Sequence, residues 1–321
     1  MLRFGLCWPH SHEETPQQLE KTMKFVSYNI QYGFGLDGRY DLERLAAAVE
    51  DADVIALQEV ERHWLRSGED DQPAILSSLL PDHYWVFGPG MDFDASYRDE
   101  AGKLINRRRQ FGSMLLSRTP IRWSRLHRLP MRATVGALNT QNQALEGLIE
   151  TPSGPVRVLS LHLSHIGDQE RLEQLEMLHA HHQRVPFEGG PWSGIDEEPE
   201  RSWTNGEDEP ACPISAIWMG DFNSQPGSVE YQRMTGTSPY YTVPGYRELF
   251  VDSTVAAGHA PDAFISHTGN DDDGVTRSRR LDFCFVSSDL APRVNAMWVD
   301  QENIASDHKP VWTEINLSKS G

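Results

Sequence analysis

From Met23 onward, short β-like runs recur along the chain, separated by turn signals or by single helical segments. Many short strands interleaved with a few helices restrict the chain to an α/β arrangement with packed sheets. The runs fall at 25–30, 54–57, 83–87, 112–117, 121–126, 144–151, 156–162, 214–219, 281–286 and 311–315. Pro152-Ser153-Gly154-Pro155 reads as a hairpin turn between two of them. Helical character is expected over 41–50, where Leu42, Leu45, Ala46 and Val49 have i, i+3, i+4, i+7 spacing. Two more helices are expected over 73–80, stopping at Pro81, and over 169–182.

The region 186–213 breaks this rhythm. It carries Gly189-Gly190-Pro191 and the acidic runs Asp196-Glu197-Glu198 and Glu207-Asp208-Glu209. It reads as a mobile surface insertion just before the 214–219 strand, inside one domain that spans 23–317. Residues 1–22 read as an extension, either disordered or docked on the surface.

Composition narrows the function. The chain has 321 residues and a formal charge of −18, from 47 acidic and 29 basic residues. Such a field disfavours long polyanions, because non-specific nucleic-acid binding rests on Lys and Arg contacts to phosphate. Three cysteines, Cys7, Cys212 and Cys284, make neither a disulfide framework nor a zinc pattern, and Cys284 reads as a core residue. No apolar run is long enough for a transmembrane helix, and the N-terminus lacks a secretory pattern. A cytoplasmic protein is the expectation.

The chemistry is concentrated at strand ends. Gly220-Asp221-Phe222-Asn223 closes the apolar run 214–219, and side chains two apart on an extended segment share a side. Asp221 and Asn223 are therefore expected to meet, with Phe222 pointing back into the packing. Asn29 closes the first strand, Gln58-Glu59 the second, and His162 the run 156–162. Leu281-Asp282-Phe283 and Ser306-Asp307-His308 complete the set. The ordered set resembles the endonuclease/exonuclease/phosphatase superfamily of metal-dependent phosphoesterases, from about Met23 to about Glu314. The segment Gln110-Phe111-Gly112-Ser113-Met114-Leu115-Leu116-Ser117 is also similar to a family strand, with Ser113 where Asn is common. The resemblance implies a four-layer α/β sandwich: two mainly antiparallel sheets packed face to face, helices outside, and catalytic groups at one end.

That chemistry requires a hard cation, which neutralises a phosphate ester and orients it for in-line attack by water. Mg²⁺ is the expected ion, with Mn²⁺ or Ca²⁺ as alternatives. Glu59 is the first ligand candidate with Asn29 beside it, and a second ion would fall near Asp221, Asn223 and Asp307. His308, held by Asp282, is one candidate base and Asp221 the other. Asn223 would position the water or a phosphoryl oxygen, and His162 would protonate the leaving oxygen or donate a hydrogen bond to the growing charge. Arg107, Arg109 and Arg280, from two basic clusters (107–109 and 277, 279, 280), are candidates for an anion funnel, against ordinary surface pairing. His63, Trp64, Arg66 and the loop 88–90 are weaker candidates for substrate selection. His165, His179, His181 and His182 read as solvated, and Asp271-Asp272-Asp273 as a solvated loop without EF-hand spacing.

The apurinic-site endonuclease branch generally lacks a His at the position of His162, whereas the branches resembling deoxyribonuclease I, sphingomyelinases, inositol-phosphate phosphatases and deadenylases commonly have one. With the acidic charge, this favours a phosphodiester or phosphomonoester of a small molecule or lipid headgroup. A nuclease of the same fold is the alternative, and a non-catalytic phosphate-binding member the third reading.

Overall fold

The computed structural model describes residues 22–237, 246–270 and 274–318. Nearly all of the 1–22 extension, Cys7 and the triple Asp271-Asp272-Asp273 lie outside the described residues.

Two six-stranded sheets form the body. The first runs, in spatial order, Val294–Val299, Val311–Asn316, Thr22–Asn29, Val54–Arg62, Arg108–Ser117 and Tyr84–Asp94. The second runs Phe250–Asp252, Asp282–Ser287, Ala216–Asp221, Val156–His162, Gln143–Ile149 and Ile121–Arg128. Alternation along each strand separates the layers. Phe25, Val54, Ala56 and Leu115 of the first sheet meet Leu145, Val158, Ile217, Met219 and Cys284 of the second in the central core. Their strand neighbours Val26, Tyr28, Ile55 and Met114 face outward onto Leu42, Leu45 and Leu76 of the helices Leu42–Ala47 and Gln72–Leu79. On the other side, Leu159, Leu161, Trp218 and Phe285 pack on Leu175 and Leu178 of the helix Asp168–Glu188 and on Tyr231 and Met234 of Val229–Thr235. The result is a four-layer sandwich. Among the described residues, no helix is long and apolar enough to cross a membrane.

Caps define where three of the helices begin. Asp41, Asp71 and Ser228 each accept a hydrogen bond from a backbone N–H three residues on, at Arg44, Ala74 and Tyr231.

Three expected elements have different limits. The strand expected over 83–87 continues through Gly88-Pro89-Gly90 to Asp94. It lies at the sheet edge, and its register shifts between Pro89 and Met91, so the proline forfeits no interior ladder bond. The helix expected over 169–182 runs from Asp168 to Glu188, with Pro186 inside its last turn. The following stretch, 189–215, contains no strand and one 3₁₀ turn, Pro199–Arg201. Val294–Val299 was not anticipated, since its alternation is short.

Two pairings set the functional end. Thr22–Asn29 lies parallel to Val54–Arg62, and Val156–His162 parallel to Ala216–Asp221. Parallel neighbours finish at the same edge, so Asn29 comes beside Gln58 and His162 beside Asp221. Asp282–Ser287 is antiparallel to Ala216–Asp221 and therefore starts there, with Asp282 opposite Asp221.

Gly220 is required by close packing. A Cβ at this position would lie 1.8 Å from the carbonyl oxygen of Leu161 on the neighbouring strand. Gly220→Ala must therefore push apart the strands that carry His162 and Asp221. We expect a loss of about 3 kcal/mol or more in urea unfolding. Gly136→Ala, where an added Cβ meets nothing within 4 Å, should change stability little.

Candidate active site

Asp221 is the centre of the constellation. Its Oδ2 lies 3.1 Å from Asn29 Nδ2, 3.6 Å from His162 Nε2 and 3.6 Å from His308 Nε2. Its Oδ1 accepts the backbone N–H of Asn223 at 2.8 Å. The chain turns sharply after the strand, with Asn223 at φ 48°, so Asp221 and Asn223 do not project in parallel as an extended segment requires. Asn223 Nδ2 instead donates to the Leu163 carbonyl at 2.9 Å. Phe222 is buried, edge-on to Phe283 and Phe285.

Glu59 does not end its strand. The pairing of Val54–Arg62 with Arg108–Ser117 shifts register between Leu57 and Val60, and Glu59 has φ 60°. This irregularity turns the carboxylate into the cleft while the strand continues. Gln58 stays in the interior, where its Nε2 donates to Ser160 Oγ of the other sheet at 3.0 Å. Ser113 is likewise buried and accepts from Gln143 Nε2 at 3.0 Å, so its polar role is to join the sheets.

Asn29 lies between the two carboxylates. Its Nδ2 donates to Glu59 Oε1 at 2.9 Å as well as to Asp221, and its Oδ1 accepts the backbone N–H of Gln31 at 3.0 Å. Flipping the amide would set N–H against N–H. Asn29 thus orients two carboxylates, and its oxygen keeps a second lone pair beyond the Gln31 bond.

The His308–Asp282 pair is buried. His308 Nδ1 lies 2.8 Å from Asp282 Oδ2, and that same oxygen accepts from Ser266 Oγ at 2.7 Å. Burial opposes charge on the imidazole, but the carboxylates of Asp282, Asp221 and Asp307 outweigh it and push His308 up to about 10. These carboxylates favour the protonated ring, while burial pushes the Asp282 carboxyl up as well. Asp307 is pushed up to about 6 by burial, with Glu59 and Asp221 adding to the effect against the lowering influence of His308. Its Oδ2 accepts from Gln31 Nε2 at 2.7 Å, and His267 Nε2 lies 3.8 Å away. Glu59 adds to the cost of ionising Asp307. Both are hard oxygen donors of the kind that hold a divalent cation.

Glu59, His162, Asp221, Asn223, His267 and His308 line a cavity of about 630 Å³, and Asp307 lines the adjoining cleft. The cavity walls include Tyr32, Trp64, Met91, Phe93, Phe111 and Leu138, with Arg66 and Arg279 among the polar lining. Arg66 is fixed by the buried Glu61, at 2.6 Å, and lies over the Tyr32 ring at 3.7 Å.

The three arginines expected at the substrate are placed otherwise. Arg280 is buried, paired through both terminal nitrogens with Asp252 at 2.8 Å and stacked on Phe283. Arg107 pairs with Glu69 at 2.8 Å, and Arg109 lies against Trp64; neither lines the cavity. Neighbours in an extended segment face opposite sides, so in the 277–280 cluster Arg279 reaches the cleft and Arg280 the interior. His165 lines the cleft, whereas His179 and His182 are buried on the inner face of their helix rather than solvated. Ser266 and His267 carried no signal in the sequence, because the strand His267–Asn270 they open is short and half-exposed.

The sequence model described as the Endonuclease/Exonuclease/phosphatase family matches residues 26–308. The chain belongs to this family. A comparison with curated protein sequences finds no match. Solved structures share the fold at low identity. ANGEL2, a 2',3'-cyclic phosphatase, is 16% identical, with TM-score 0.56 and coverage of 91% of this chain and 95% of that one. D. rerio TDP2, complexed with single-strand DNA product, is 16% identical, with TM-score 0.54 and coverage of 92% and 99%. The mannosyl-6-phosphatase of Bacteroides thetaiotaomicron VPI-5482 is 17% identical, with TM-score 0.54 and coverage of 91% and 98%. Two of these proteins are phosphatases and the third binds single-strand DNA.

The raised His308 is directly testable by imidazole NMR. In the cation-free protein its resonance should stay that of the protonated ring through neutral pH and titrate near about 10. Asp282→Asn should move that midpoint down. Because the folded value lies above the ordinary one, this proton contributes stability fully below about pH 6.5, lost as the pH rises through about 10.

Proposed function

We propose that this protein hydrolyses a phosphate ester of a small molecule or lipid headgroup with the aid of a divalent cation, Mg²⁺ first and Mn²⁺ or Ca²⁺ as alternatives. The convergence of Asn29, His162 and His308 on one oxygen of Asp221 carries this reading. Glu59 and Asp307 would hold the ion, which supplies neutralisation of the phosphoryl charge when bound.

The remaining steps belong to the chain's own residues. Asp221, held by Asn29 and by the backbone N–H of Asn223, takes the proton of the attacking water. His308 carries its own proton and therefore donates to a phosphoryl oxygen rather than acting as the base. Asp282 and Ser266 position it. His162 flanks Asp221 from the neighbouring strand and donates to the leaving oxygen. Arg66 and Arg279 attract the anion, while Trp64, Phe93 and Leu138 offer an apolar wall to the group esterified to it. A phosphate beside an apolar group fits this lining, and the net charge of −18 opposes a long polyanion.

A panel of bis-(p-nitrophenyl) phosphate, phosphomonoesters, lysophospholipid, sphingomyelin and plasmid DNA tests the assignment. EDTA should abolish turnover. Asp221→Asn, His162→Gln and His308→Gln should each lower kcat by about 10²–10⁴-fold, and Trp64→Ala should raise KM for the lipid-like substrates. Turnover insensitive to EDTA would refute the cation requirement. Plasmid nicking that exceeds the small esters and disappears in His308→Gln would replace the substrate class with nucleic acid.

A further inference from the structure

A second cluster of metal-binding side chains lies on the outer face of the second sheet, and none of its members lines the hydrolytic cleft. Leu145 points into the central core, so Glu146, next along the strand, points outward under the helix Asp168–Glu188. Its side chain is fully buried. Its Oε1 takes Arg157 Nη1 at 2.6 Å. Its Oε2 faces two imidazole nitrogens, His127 Nε2 at 2.8 Å from the neighbouring strand and His181 Nε2 at 3.1 Å from the helix. The two rings have centroids 4.3 Å apart. The three donor atoms lie within 4.8 Å of one another.

A second carboxylate at His181 distinguishes this cluster from a simple closed network. The Nδ1 of His181 lies 3.3 Å from Glu188 Oε2, while its Nε2 faces Glu146. A carboxylate beside each ring nitrogen favours either a second proton on the ring or a cation in its place, and an outer carboxylate on the far nitrogen is the usual companion of a metal-binding histidine. The segment 211–214 closes over the cluster. Trp123 Nε1 donates to the Ala211 carbonyl at 3.0 Å, and Arg157 Nε to that of Pro213 at 2.7 Å. Between them sits Cys212, whose charged surroundings are Arg157, Glu146, Arg125 and Glu188. Arg125 Nη1, 3.9 Å from Glu146 Oε2, opposes a cation. Arg125 and Arg157 are balanced by Glu146 and Glu188, so the pocket is near neutral before an ion enters.

We propose that His127, Glu146 and His181 form a second metal site, separate from the hydrolytic cleft, that takes a borderline transition ion such as Zn²⁺. Two imidazoles and one carboxylate are a nitrogen-rich set that suits Zn²⁺ and not Mg²⁺. The ion cross-links the second sheet to its covering helix. Cys212 lies in the neighbouring segment, and burial pushes its thiol up, away from the thiolate a metal would take.

The test uses the tag-free full chain, stripped with EDTA, dialysed and titrated with ZnCl₂ in excess Mg²⁺. Wild type should retain about one equivalent of Zn²⁺ against a weak chelator, as a closed site does. His127→Gln and His181→Gln should each lose that equivalent while their Mg²⁺-dependent hydrolysis stays unchanged. A retained equivalent in both variants, or none in wild type, overturns the proposal. Imidazole NMR of the wild type gives an answer that does not depend on the variants folding. At the first equivalent, the resonances of His127 and His181 should shift ahead of those of His162 and His308. Shifts confined to the cleft imidazoles overturn it.

Discussion

One amide nitrogen joins the two sheets at their functional end. Asn29 Nδ2 donates to Glu59 in its own sheet and to Asp221 in the other. Its oxygen is occupied by the Gln31 backbone, so the amide has one allowed orientation. Beneath it, Gln58 donates to Ser160, and Ser160 in turn to the Leu57 carbonyl, again across the sheets. A buried polar group without a partner costs about 1–3 kcal/mol. The sheets therefore have a register in which these bonds close, beyond what the apolar core alone would demand. The cleft follows from that register.

Electrostatics then divides the labour among groups of similar type. Asp221, Asp282 and Asp307 all face His308, and their sum favours the protonated ring despite its burial. His162 faces Asp221 alone among these carboxylates at bonding range, from the neighbouring strand. The outer cluster around Glu146 follows a different plan. There, arginines and glutamates cancel, and the imidazoles face a single carboxylate oxygen. The hydrolytic cleft gathers oxygen donors suited to a hard ion, whereas the outer cluster offers nitrogen.

Much of this was legible from residue order. Apolar runs with polar ends announced the positions of Asp221, His162 and Asp282, because strand length and alternation are local properties. Glu59 was legible as a site residue but not as a bulge, since a register shift is a relation between two strands. The proline at 89 reads as a loop signal, and only its place at the sheet edge makes it compatible with a strand. Arg280 looked like Arg279 in the sequence. Which of the two reaches the cleft depends on the segment's facing, and Asp252, which captures Arg280, lies 28 residues away.

The sequence by itself determined an α/β arrangement with packed sheets and the chemical types at the strand ends, because both depend on the period of apolar residues and on what closes each run, while the four layers came from the family resemblance. The tertiary structure alone decided which atoms meet. It set Asn29 as a donor to both Glu59 and Asp221, surrounded His308 with carboxylates, removed Arg280 from the cleft and brought His127, Glu146 and His181 together. Each of these outcomes rests on hydrogen bonds and charges between segments distant in sequence, and their energies depend on separations of a few ångströms that no local pattern encodes.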